Sequence, residues 1–476
     1  MIPLSIDQIA QITGAAFDRV ADPTAIVAGP VVIDSRQVVP GALFAALPGE
    51  HADGHDFAGG AAAAGAVVTL GTRPTGTPAL IVADVAAALG RLARAVVDRL
   101  PALIVAGITG SAGKTTTKDL AAQLVATLGP TVAPQNSFNN EIGHPLTVLR
   151  ADADTRYLIA ELSARGPGHI AALCQIAPPR LGVVLCVGNA HAGEFGGVTQ
   201  VAAAKSELPR ALPADGVAVL NADDPLVSAM AATTAARVIT FGRSAVADVR
   251  ASSVSLDALS RPAFTLEMPD GVADVALRLH GEHNVTNALA AAALAGQLGM
   301  DVSAIAAGLS AAVANSKWRM EVTQRPDGVI VVNDAYNASP EAVAAALEAV
   351  RVIAAGRRAY AVLGRMAELG ERSREFHEQA GMVAARTGVT GLIAVGDEAA
   401  PMLTGAKAVA GYSGELIAVP DGPAALAALA DRLQPGDVVL IKASRAAGLQ
   451  TVALALAAGG SGGSSPRADT AGEVAP

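Results

Sequence analysis

The pattern of apolar and polar positions divides the chain into three blocks. In the first, to about residue 100, short apolar runs are broken by glycine, proline and aspartate turns. It closes on helical spacing over 85–100, just before Pro101. In the second, from 102 to about 314, apolar runs at 103–106, 157–160, 181–186, 217–220 and 238–241 alternate with stretches of helical period. That alternation predicts a parallel, doubly wound sheet with its ligand at the carboxyl ends of the strands. Over 254–279 the period shortens, which predicts an antiparallel addition, and an alanine-rich helix follows over 283–298. The third block, to about 457, starts a new α/β series with strands at 329–333, 359–363, 391–395 and 437–442.

The expected fold class is therefore α/β in three domains. A small mixed α/β domain occupies 1–100. A central doubly wound, mostly parallel sheet occupies 101–315. A Rossmann-like α/β domain without its own phosphate loop occupies 316–457, and a glycine- and serine-rich stretch over 458–476 predicts a disordered tail.

Composition narrows the function. The 476-residue chain carries a formal charge of −9, which argues against a nucleic-acid partner. Its two cysteines, Cys174 and Cys186, lie in apolar surroundings and read as buried free thiols of a reducing, cytoplasmic protein rather than a metal framework. No leader or membrane-inserting segment is expected from the pattern.

Chemistry concentrates at 105–120, VAGITGSAGKTTTKDL. An apolar strand, a turn with Gly107, Gly110 and Gly113, and a helix with periodic spacing over 118–128 describe a cradle for a nucleotide polyphosphate. Backbone N–H groups close around the phosphates where a helix N-terminus is already partially positive. Thr109, Gly110, Ser111, Ala112, Gly113, Lys114, Thr115 and Thr116 form the expected ATP-binding run. Lys114 would reach the β/γ-phosphates, and the Thr115 hydroxyl would ligate Mg²⁺. Gly107 stands one position too early for the common spacing, so the loop reads T-G-S-A-G-K-T-T.

A phosphate cradle needs metal ligands from neighbouring strand ends. Glu161 and His191 both follow predicted strands of the second block and are the candidates. Lys205 begins a helix and by composition alone reads as a solvated charge. Asn284 and Asn287 lie one turn apart on one helix face; helix capping explains one of them, and asparagine can also read adenine. Asp334 and Asn337 either cap the helix that starts near Pro340 or serve a ligand. Lys442 and Arg445 put two cations at a strand's carboxyl end, where an anionic ligand would sit. In the first block, Ser35 and Arg36 after Asp34, with Asp53 and His55, cluster beyond what turn chemistry explains, and a second ligand is expected there.

Together these pieces resemble the Mur ligases of peptidoglycan synthesis, over essentially residues 1–457. The T-G-x-x-G-K-T-T loop is that family's variant, and Asn139-Asn-Glu-Ile-Gly143 with Asp334-Ala-Tyr-Asn-Ala-Ser-Pro340 resemble the branch that adds D-alanyl-D-alanine. The family usually has Asn-Pro where this chain has Ser339-Pro340, and a glycine is more common at Trp318. The resemblance implies an ATP-dependent amide ligase using Mg²⁺, with UDP-N-acetylmuramoyl-tripeptide and D-alanyl-D-alanine as substrates. A monomer in the cytoplasm is expected.

By matched position, Lys114, Lys205 and His191 would be catalytic, and Thr115, Glu161, His191 and Lys205 would hold metal, Lys205 as its carbamate. Asn284, Asn287, Arg319 and Asp334 would contact ATP. Ser35, Arg36, Asp53 and His55 would bind the UDP-sugar, and Asn139, Asn140, Tyr336 and Asn337 the substrates. The first domain would take the UDP-sugar, the central one ATP, and the last the incoming dipeptide, closing on ATP. A sibling ligase adding diaminopimelate or lysine, a folate-polyglutamate-type ligase, and a P-loop ATPase used as a switch are the alternatives.

Overall fold

The computed structural model describes residues 1–49, 52–188 and 197–459. Its centre is a nine-stranded sheet. The strand Ile104–Thr109 lies inside it, parallel to Leu181–Val184 on one side and Tyr157–Glu161 on the other. This order is why distant sequence segments meet: the phosphate loop, Glu161 and the segment from Leu185 onward all leave neighbouring strand ends. Val217–Asn221 and Arg237–Gly242 extend the sheet in parallel. The antiparallel addition is Val249–Leu256, Pro262–Met268 and Gly271–Ala276, an extension of the same sheet rather than a separate one.

The helix after the loop runs Lys114–Val125, four residues earlier than its periodicity places it. Its first turn, Lys-Thr-Thr-Thr, has no apolar period, because its duty is to present backbone and hydroxyl groups. The helix Asn284–Gln297 packs beside it, and Ala288 through Ala295 are fully buried. Alanine lets the two helices approach closely while leucines such as Leu289 and Leu294 fill the remaining space, each contributing about 1.5–3 kcal/mol.

The first block forms a five-stranded sheet of short strands, with a separate two-stranded ribbon. Its long helix Val85–Asp98 joins one continuous core with Leu146, Val148, Leu158 and Ala177 of the second block. The third block has cores of its own on both faces of a six-stranded sheet. The four predicted strands appear as Ile330–Asn333, Ala359–Leu363, Gly391–Val395 and Val438–Lys442. Two edge strands, Glu321–Gln324 and Glu415–Val419, were not foreseen. Cys174 and Cys186 are free thiols, the first buried and the second half-buried. Of the expected tail, 460–476 lie outside the described residues.

Candidate active site

Ser111 through Thr116 line a cavity of about 1310 Å³ between the central sheet and the third block. The helix behind them has Gly113 as N-cap at φ +82°, with no side chain capping its first amides. Those N–H groups are left for a ligand, and the left-handed backbone requires glycine. Space requires it too: a Cβ on Gly113 would stand 2.3 Å from Asn287 Oδ1. Gly107, expected in the phosphate cradle, lies instead within Ile104–Thr109, where a Cβ would meet Leu162 Cδ1 at 2.9 Å. It is a packing glycine. Thr109 is buried beneath the loop, and Lys114 Nζ donates to Gly110 O at 2.7 Å.

Around the loop's hydroxyl a polar knot forms. Thr115 Oγ1 donates to Glu161 Oε2 at 2.9 Å and lies 2.9 Å from Ser137 Oγ. Asn139 Nδ2 donates to the other oxygen, Glu161 Oε1, at 2.7 Å. Arg319 Nη2 donates to Thr115 Oγ1 at 2.8 Å and Ser137 Oγ at 2.9 Å, while its buried Nε has no partner among the described residues. Asn140 turns the other way, its Oδ1 accepting from Gly143 N at 2.8 Å and Ile142 N at 3.2 Å. The local cap holds Asn140; Asn139 alone of the pair reaches the knot.

Lys205 ends the helix Val198–Lys205 and is 5 % exposed, so the solvated reading of its charge does not hold. Burial, with the Lys114 charge nearby, lowers its ammonium pKa to about 7. Lys114 is lowered too, mainly by desolvation. His191 lies outside the described residues.

Neither asparagine of the 284–287 pair caps its helix by a side chain. Asn284 Nδ2 donates to His280 O at 2.9 Å, and Asn287 Nδ2 donates to Asn284 Oδ1 at 2.9 Å. Thr117 Oγ1 on the phosphate-loop helix donates to Asn287 Oδ1 at 3.4 Å. The pair thus ties two helices together at the cavity edge, which both residues line.

The opposite wall comes from the third block. Ser339, not Asp334 or Asn337, caps the helix Pro340–Ala354, accepting from Ala342 N. Serine and asparagine cap about equally well, so the Ser-Pro variant keeps the turn. Asp334 accepts from Lys442 Nζ at 2.5 Å and from Met320 N at 3.1 Å. Lys442 is therefore neutralised in the interior and does not offer its charge to a ligand. The Arg319 guanidinium lies 4.3 Å over the Tyr336 ring, and that of Arg445 lies 4.1 Å over Trp318. Trp318 and Met320 adopt φ +59° and +51°, which explains why glycine suits position 318.

The first block's cluster is not part of this cavity; Ser35, Arg36, Asp53 and His55 are absent from its lining. Asp34 and Asp53 cap two short turns. His55 is buried, its Nδ1 2.6 Å from Asp53 Oδ1 and its Nε2 accepting from Thr72 N at 2.8 Å. Both ring nitrogens are spent inside the domain. Arg36 stays on the surface, its guanidinium gripping Asp34.

Three family models cover most of the chain: "Mur ligase family, catalytic domain" at 30–102, "Mur ligase middle domain" at 108–295 and "Mur ligase, glutamate ligase domain" at 318–445. The UDP-N-acetylmuramoyl-tripeptide–D-alanyl-D-alanine ligase of Mycobacterium bovis is 50 % identical over 100 % of both chains. The chain belongs to the Mur ligase family. The Escherichia coli ligase of the same name is 35 % identical over 96 % of this chain and 99 % of its own. Among solved structures, MurF of Acinetobacter baumannii superposes with a TM-score of 0.86 at 31 % identity, covering 96 % of this chain and 99 % of that one. MurF ligase of Thermotoga maritima, solved with ADP, gives 0.77 at 30 % identity, covering 91 % and 98 %.

This Mur ligase is accordingly an ATP-dependent enzyme of three α/β domains. Its cradle fits the nucleotide: uncapped amides, Lys114 and the orphaned Arg319 Nε all suit phosphate oxygens. No group of three or more His, Cys, Asp or Glu gathers for a metal among the described residues. One hydroxyl and one carboxylate, Thr115 and Glu161, still fit the habit of Mg²⁺, which takes few protein oxygens and completes its shell with phosphate and water. Sequence reasoning missed Ser137. It missed as well the clamp in which Asp119 and Gln123 of the phosphate-loop helix hold the linker at Ser316 N and Val313 N. Polar residues on the inner side of the 114–125 helix are the one signal that pointed there.

Proposed function

We propose that this Mur ligase joins D-alanyl-D-alanine to the terminal carboxylate of UDP-N-acetylmuramoyl-tripeptide at the expense of ATP, giving the pentapeptide precursor, ADP and phosphate. The observation that carries the reading is the single cavity with a phosphate loop on one wall and the third domain's 334–342 segment on the other, in a chain half-identical to ligases of that name. The first domain takes the UDP-sugar, with Arg36 among its exposed cations, and the third takes the dipeptide. The enzyme acts as a cytoplasmic monomer.

A carboxylate is a poor electrophile toward an amine, so it is activated first. A carboxylate oxygen attacks the γ-phosphorus and the bond to ADP breaks, leaving an acyl phosphate. Lys114, the loop amides and Arg319 hold the phosphoryl oxygens and offset their developing charge. Thr115, Glu161, His191 and the carbamate of Lys205 would hold Mg²⁺, which supplies further charge neutralisation when bound. A buried lysine with a pKa near 7 is half neutral at physiological pH, the state in which an amine adds to CO₂. The dipeptide's amine, having lost a proton, then attacks the acyl carbon. The C–N bond forms, the C–O bond to phosphorus breaks, and phosphate leaves with the electron pair. Acyl phosphates hydrolyse, so the cavity closes between domains before the chemistry.

Phosphate release measured with the UDP-muramoyl-tripeptide and either D-alanyl-D-alanine, diaminopimelate or lysine tests this. Turnover should require the dipeptide. Equal hydrolysis without any amine would mark an ATPase switch, and preference for a single amino acid a sibling ligase.

A further inference from the structure

The linker from the central domain to the third has no part in the scheme above, yet it is bonded along the phosphate-loop helix. Thr115, Asp119 and Gln123 stand four residues apart on Lys114–Val125, so they share one face of it. Val313, Ser316 and Arg319 meet them in steps of three, running the opposite way. Val313 N donates to Gln123 Oε1 at 3.1 Å, and Gln123 Nε2 donates back to Val313 O at 3.0 Å. Ser316 N donates to Asp119 Oδ2 at 3.1 Å, and Arg319 Nη2 to Thr115 Oγ1 at 2.8 Å. One helix thus takes up the linker at three successive turns, the last of them at the phosphate loop.

Length and burial do not set this course. Four helical residues rise about 6 Å, whereas three extended residues reach about 10 Å, so the linker is not stretched between its rungs. Val313, Ala314 and Asn315 are exposed, so little apolar burial ties them down. The clamp itself is firmly seated. Lys118 Nζ donates to Asp119 Oδ1 and to Pro134 O, both residues of the ion pair are buried, and Gln123 Nε2 also reaches Asp119 O at 3.0 Å. Beyond Ser316 the bonds change sides. Tyr336 N donates to Trp318 O at 3.2 Å and Met320 N to Asp334 Oδ1 at 3.1 Å, both from the third domain. Lys317 lies between the two sets of bonds. Arg319 therefore rides on a segment held by the third domain while its guanidinium works at the central one.

Resting on the ligase reading above, we propose that Asp119 and Gln123 are positioning residues for the nucleotide: they fix the linker's register so that Arg319 meets the phosphate site. They act through Arg319 rather than on the reacting atoms. With the clamp loosened, Arg319 follows the third domain and spends part of its time away from the phosphates.

The test is the affinity for the non-hydrolysable analogue β,γ-imido-ATP with Mg²⁺, read by titration calorimetry on the full chain. Gln123→Met keeps a good helix former, removes both bonds to Val313, and should weaken the analogue about tenfold. In an Arg319→Met background the same substitution should cost no more than about twofold, because the group it positions is gone. For Asp119, a lone substitution would strand the buried Lys118 charge, so two double variants are compared. Lys118→Met with Asp119→Asn keeps an acceptor for Ser316 N and should bind within about threefold of wild type. Lys118→Met with Asp119→Leu removes that acceptor and should lose about a further tenfold. In Gln123→Met the KM of the UDP-substrate should stay within about twofold, a value that general loosening of the fold would also move. An equal loss with and without Arg319, no loss in Gln123→Met, or equal affinities of the two doubles overturns the proposal and leaves the ligase reading intact. A wild type that shows these affinities but forms no amide bond with D-alanyl-D-alanine overturns that reading instead.

Discussion

Two polar clusters in this molecule look alike as lists of residues and differ in what surrounds them. Around the phosphate loop, Lys114, Lys205 and Arg319 are drawn out of water without full compensation: two lysines are pushed toward neutrality and a buried guanidinium nitrogen has no partner among the described residues. In the first domain, Asp34 pairs with Arg36, Asp53 bonds both His55 and Arg73, and the buried His55 has both ring nitrogens bonded. Asp53 sits well below the ordinary carboxylate range because His55 and Arg73 hydrogen-bond its charged form. A network that closes on itself stabilises a fold; one left open toward a cavity is ready for a ligand.

Substitutions should separate the two. The largest loss is expected at Lys114→Ala, about 10³-fold or more in kcat with the melting temperature little changed, because its ammonium serves the transferring phosphoryl group. Steady-state kinetics beside calorimetry reads both. Lys205→Ala should cost about 10²-fold or more and recover in part with added formate or acetate, which would stand in for the proposed carbamate.

The same lysine gives a pH signature. Its folded pKa of about 7 lies below the ordinary 10.5, so the native state binds fewer protons between those values and stability rises with pH across that window. Below pH 7 the amine is protonated, and the carbamate should fade about tenfold per unit. The ¹³C signal of enzyme equilibrated with labelled bicarbonate at pH 6 and pH 8 checks it.

Much of the open cluster was legible because a doubly wound sheet has rules. Alternating strands and helices placed the loop, Glu161 and the segment leading to His191 at neighbouring strand ends before any coordinates. Arg319 was legible only through resemblance, since it meets Thr115 from 204 residues away and no local period announces such a reach. The Asp119–Ser316 clamp, whose partners stand 197 residues apart, left only the polar residues on the inner side of the 114–125 helix as a signal. Of the edge strands, Glu321–Gln324 escaped because it is half-exposed and lacks the continuous apolar run of a strand covered on both faces; Glu415–Val419 has such a run over its last four residues but is only partly covered. In the first domain, residue types were legible and their partners were not, so His55 read as a ligand contact when its geometry makes it a brace.

Smaller effects sharpen the contrast. Gly113→Ala forces a Cβ against Asn287 Oδ1 and a strained φ, and should raise KM for ATP about 10- to 100-fold. His55→Ala should destabilise by about 1–3 kcal/mol, seen as a lower melting temperature, with KM for the UDP-substrate within about threefold. Arg36→Ala should do the reverse, raising that KM about tenfold with stability unchanged. If His55→Ala proved as damaging to that KM as Arg36→Ala, the first cluster would not be closed in the sense drawn here.

The central claim is that ATP activates a carboxylate as its acyl phosphate before the amine attacks. Tripeptide substrate labelled with ¹⁸O in its terminal carboxylate tests this most directly, with the released phosphate read by mass spectrometry. One ¹⁸O per phosphate, appearing only as dipeptide is consumed, is the predicted result. Phosphate free of label while dipeptide is consumed, with the displaced ¹⁸O lost to water, would contradict it.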